Sequence, residues 1–70
     1  MSKLPALTSK RLIKILKRRG FLLDHTTGSH FIFYHPERDI RVTIPYHAKD
    51  VPKGTLHSIL KEAGLSEKDL

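Results

Sequence analysis

Seventy residues limit this chain to one domain, 1–70, with a core no larger than one helix-and-sheet layer pair. Thirteen Lys plus Arg against seven Asp plus Glu leave a net charge of +6, a balance that favours a polyanionic partner, nucleic acid above all. The absence of cysteine excludes a disulfide framework, thiolate chemistry and any Cys-based zinc site, and no apolar run is long enough to span a bilayer.

Residues 1–7 read as a loose arm, with Pro5 discouraging early helix. The segment lacks the apolar stretch of a signal peptide, so the sequence predicts a soluble protein of the cytoplasm. Thr8 and Ser9 offer N-cap oxygens. Leu12, Ile15 and Leu16 then form one apolar stripe, with Ile13 beside it, and Gly20 follows a basic last turn. The spacing predicts a first helix over 9–19. Its other faces carry Lys10, Arg11, Lys14, Lys17 and Arg18, and no acid precedes Asp24. A solvated surface usually mixes signs for i, i+4 pairing, so this one-sided charge points to a phosphate-contacting face.

Residues 21–27 read as a strand, with Thr26-Thr27-Gly28 as a turn. Residues 29–35 form a second strand, rich in aromatic and β-branched types. After the turn cluster at 36–39, residues 40–44 alternate apolar and polar, the pattern of a half-buried strand that Pro45 ends. Short turns between three strands imply an antiparallel meander. A second helix begins at Thr55 or just before, because Leu56, Ile59, Leu60 and Ala63 share one face and Gly64 closes it. Ser66 and Asp69 have capping-box spacing for a final turn. The order αβββα predicts an α+β fold, a three-stranded antiparallel sheet with two helices on one face.

Gly28-Ser29-His30 carries the clearest chemistry: a glycine-led turn holds a titratable ring at the start of a strand. Among basic side chains, His30 can act as general acid or base on a ribose hydroxyl while cations hold the phosphate. Its plain structural reading is a strand histidine bonded to the neighbouring turn. His25, His35, His47 and His57 lack the i, i+4 spacing or carboxylate cluster of a zinc site. His57 reads as a solvated flank. His47, at the exit of strand three, is either a second site residue or a loop residue. Lys53-Gly54-Thr55 sets a cation and a hydroxyl at a helix N-terminus, suited to an anion, without the glycines of a P-loop. Phe31 and Phe33 point to one side of strand two, His30, Ile32 and Tyr34 to the other. Both sets are apolar enough to be core, and the buried face stays open.

Several segments together resemble the HicA toxins, or YcfA-like mRNA interferases, of toxin–antitoxin modules. They are Lys17-Arg18-Arg19-Gly20-Phe21, Gly28-Ser29-His30, Val42-Thr43-Ile44-Pro45-Tyr46-His47, and the run from Lys53-Gly54-Thr55 to Ala63-Gly64-Leu65-Ser66. The resemblance implies a double-stranded-RNA-binding-domain-like (dsRBD-like) αβββα fold and metal-independent endonucleolytic cleavage of mRNA without a cofactor. It implies His30 as the catalytic residue and a HicB antitoxin that covers the active site. The chain departs from the family's usual pattern at His57, where a basic residue such as arginine is commoner. It departs again at Asp24 and His25, where basic or amide residues are common.

The expected function is therefore a ribonuclease toxin. The expected RNA contacts are Lys10, Lys14, Lys17, Arg18, Ser29, Lys53 and Thr55, with His47 or water as second proton carrier. Two rivals remain, an RNA-binding module of the same fold that does not cut, and a subunit whose basic surface serves only an acidic antitoxin.

Overall fold

The computed structural model describes residues 6–46 and 49–70. Elements follow the order α1 (Ser9–Arg18), β1 (Leu22–Thr27), β2 (His30–His35), β3 (Ile40–Pro45), α2 (Lys53–Ala63) and a 3-10 turn, Glu67–Asp69. The strands form one antiparallel sheet in the order β1-β2-β3, and both helices pack against β3. This is the expected α+β, dsRBD-like architecture. Among the described residues, no helix is long and apolar enough to cross a membrane.

The caps explain the helix ends. Thr8 accepts from the Arg11 N–H at 3.2 Å and opens α1. At the other end the Phe21 N–H donates to the Leu16 carbonyl and the Gly20 N–H to that of Lys17, with Gly20 at φ 94°. That is a Schellman closure, and it turns the chain at Gly20. Phe21, expected to begin the first strand, is instead a buried connector. Gly64 closes α2 in the same way, and the Ser66–Asp69 capping box forms.

The core lies between the helices and β2–β3. Leu12 and Leu16 of α1 meet Phe33, Val42 and Ile44 of the sheet and Leu56, Ile59, Leu60 and Ala63 of α2. Every residue of β1 is exposed, because the helices do not cover that edge. Ser9 Oγ donates to the Pro45 carbonyl at 2.8 Å, so α1 begins where β3 ends. Thr8 bridges Asp50, and the Val51 N–H donates to the Leu7 carbonyl at 2.7 Å, so α2 begins there too. At the opposite end, the Arg19 carbonyl lies 3.1 Å from His35 Nε2, and Arg38 lies against Gly64. The two helices therefore run side by side, both N-termini at one end of the sheet.

Candidate functional site

That end carries the Gly28-Ser29 turn. Thr27 pairs with His30, so the loop between β1 and β2 is two residues, and both threonines belong to the strand. Gly28 has φ 57° and Ser29 does not share the left-handed region, the pattern of a type II′ hairpin turn. A Cβ at Gly28 would meet nothing within 4 Å, so the backbone angle, not crowding, calls for glycine. His30 is also paired with Pro45 on its other side, which fixes its backbone between two neighbours.

Burial separates the two faces of β2. Phe33 and His35 are buried and Phe31 packs against the core, so these three point toward the helices. His30, Ile32 and Tyr34 alternate with them and point to the open face, where His30 is exposed. His35 is a structural residue. Its Nε2 donates to the Arg19 carbonyl, its Nδ1 accepts from the Arg38 N–H at 3.2 Å, and its ring meets Phe21 edge-on. Both nitrogens are thus engaged by backbone groups.

Cross-strand register places the remaining open-face residues. Leu22, Tyr34 and Arg41 form one row, His25, Ile32 and Thr43 the next, and Thr27, His30 and Pro45 the last. His25 belongs to this face because of a bulge. The register shifts between Leu23 and His25, leaving Asp24 as an extra residue in β1. Without it, His25 would lie opposite Phe31, on the helix side. Arg41 stacks over the Tyr34 ring at 4.8 Å and donates to Asp24 Oδ2 at 3.0 Å, and the same oxygen lies 2.6 Å from His25 Nδ1. The hydrogen bonds from His25 and Arg41 hold the Asp24 carboxyl below its ordinary range.

The predicted cations divide by position. Lys10 in the first turn of α1, and Lys53 and Thr55 in that of α2, stand at the His30 end, as does Ser29. Lys14 is one turn further along. Lys17 and Arg18 are in the last turn, about 10–12 Å along the helix from Lys10. These four α1 cations, and Arg11 beside them, are exposed. His47 falls outside the described residues. His57 is exposed on α2, as a flank. The residue missed in the sequence is Tyr46. Its N–H donates to the Ser29 carbonyl at 2.7 Å and its ring lies 5.4 Å from that of Phe31, bracing the turn from the β3 side. Only the pairing of Pro45 with His30 brings it there. Among the described residues, no three His, Asp or Glu side chains converge as a metal-binding group.

The family model described as HicA toxin of bacterial toxin–antitoxin matches residues 9–65, from the start of α1 past the end of α2. No curated protein matches the chain.

Proposed function

Because the chain belongs to the HicA family of bacterial toxin–antitoxin toxins, we propose that it acts as a metal-independent endoribonuclease of the cytoplasm that cleaves mRNA. A family toxin of this kind has an antitoxin partner, and our reading makes that partner a HicB-type protein covering the open face around His30.

The observation that carries the reading is the placement of His30. Its ring is exposed beside a rigid two-residue turn, at the sheet end where both helices begin. Two helix N-termini direct backbone N–H groups and partial positive charge toward that end. Lys10 and Lys53 add full charges, and Ser29 and Thr55 add hydroxyls able to bond phosphate oxygens. RNA drawn over that end and onto the open face would bring a ribose 2′-hydroxyl to His30 for proton transfer, a step worth about 10²–10⁴-fold in rate. Lys14, Lys17 and Arg18 extend the grip along the RNA backbone. Recognition through backbone charge and 2′-hydroxyls gives loose sequence preference.

The test is incubation of the purified protein with RNA in EDTA, beside the His30→Ala variant. Cleavage by the wild type alone supports the proposal. Cleavage that needs an added divalent ion rejects the metal-free mechanism. Salt-sensitive binding without cleavage by either protein would make the chain an RNA-binding module.

A further inference from the structure

Cleavage by attack of a 2′-hydroxyl moves two protons. One leaves the attacking oxygen and one must reach the departing 5′-oxygen. A single ring cannot easily serve both oxygens, because they lie on opposite sides of the phosphorus. The open face offers a second imidazole. His25 pairs with Ile32 and His30 with Thr27, so the two histidines are diagonal neighbours on adjacent strands. Diagonal neighbours of an antiparallel pair stand about 7–8 Å apart, within reach of long and aromatic side chains. That spacing leaves room for a phosphodiester between two ring nitrogens.

Three observations set His25 apart from an ordinary surface histidine. The bulge at Asp24 turns it to the face of His30. Asp24 Oδ2 engages its Nδ1 at 2.6 Å, so Nε2 is the nitrogen that this carboxylate does not hold. The carboxylate is anchored in turn by Arg41, stacked on Tyr34, so the supporting chain spans all three strands. The His25 side chain remains 56% exposed, and a substrate can reach it.

Resting on the ribonuclease reading, we propose that His25 is a second catalytic residue and that Asp24 and Arg41 are its positioning residues. His30 removes the 2′-hydroxyl proton as the 2′-oxygen bonds to phosphorus. The bond from phosphorus to the 5′-oxygen breaks, and His25 Nε2 delivers its proton to that oxygen. The products are a 2′,3′-cyclic phosphate and a 5′-hydroxyl. One proton is taken up and one released, so no co-reactant is needed, and exchange with water resets both rings. His25 takes the acid role because Asp24 holds its Nδ1, so that the proton on Nε2 is the one free to meet the leaving oxygen.

The test compares wild type, His25→Ala, His30→Ala and Asp24→Asn on two substrates in EDTA. One is ordinary RNA. The other carries sulfur in place of the scissile 5′-oxygen, a leaving group that departs without a proton. His25→Ala is expected to lose about 10²–10⁴-fold on ordinary RNA and to recover most of it on the sulfur substrate. His30→Ala stays impaired on both, and Asp24→Asn follows His25→Ala with a smaller loss. If His25→Ala cuts ordinary RNA as well as wild type while His30→Ala does not, the second-residue proposal is overturned and the His30 reading stands. Equal losses for His25→Ala on both substrates mean a structural role and also overturn it. Wild-type protein that cuts neither substrate overturns both readings.

Discussion

Ser9 and Pro45, thirty-six residues apart, are joined by a 2.8 Å hydrogen bond from the buried serine hydroxyl to the proline carbonyl. Pro45 is the β3 partner of His30, so this bond ties the first turn of α1 to the residue beside the proposed catalytic ring. Ser9→Ala leaves the carbonyl without that donor and is expected to cost about 1–3 kcal/mol. Urea unfolding measures the loss. A change of a few tenths would mean that the helix start is held by other contacts.

Two of the glycines at chain reversals, Gly28 and Gly20, differ in what they require. Gly28→Ala meets only backbone strain and should cost about 1 kcal/mol. At Gly20 a Cβ would also lie 2.9 Å from His35 Nε2, a ring held by two backbone groups and unable to yield freely. Gly20→Ala should therefore cost about 2–4 kcal/mol. Thermal or urea unfolding of the pair gives the ranking, and equal losses would contradict this account of His35.

Much of this was readable from the residues. The stripe of Leu12, Ile15 and Leu16 followed by Gly20 defines α1, and the alternation from Ile40 to Ile44 defines β3, because one-sided burial writes its period into the sequence. The buried face of β2 was not readable, since Ile32 and Tyr34 are as apolar as Phe31 and Phe33. The bulge was not readable either. Asp24 has no glycine beside it to mark an irregularity, so the face of His25 was hidden. His35 was hidden because its burial depends on the carbonyl of Arg19 and the N–H of Arg38, both set by tertiary contact.

Acid should loosen the C-terminal turn. The Ser66 N–H, with help from Arg19, holds the Asp69 carboxyl below its ordinary value. A carboxyl depressed in the folded state binds protons more readily when unfolded. Its stabilisation is complete above the unfolded value and is lost as pH falls from about 4 through the folded value. Asp69→Asn should flatten the fall of stability with pH in that window, measured by unfolding at a series of acidic pH values. An unchanged slope would remove Asp69 from the account.

The cations of α1 should separate by function. Lys10→Ala and Lys17→Ala should each reduce the salt dependence of single-stranded RNA binding by about 0.7 in log–log slope. Only Lys10→Ala, at the His30 end, should also lower the rate at saturating RNA. Equal rate losses from both would mean that the His30 end of α1 has no special part in positioning the RNA.

The most direct measurement of the central claim is the single-turnover cleavage rate of RNA in EDTA for wild type and His30→Ala, with RNA affinity measured on the same preparations. The account predicts a fall of about 10²-fold or more in rate, with affinity little changed. Equal rates for the two proteins would contradict it.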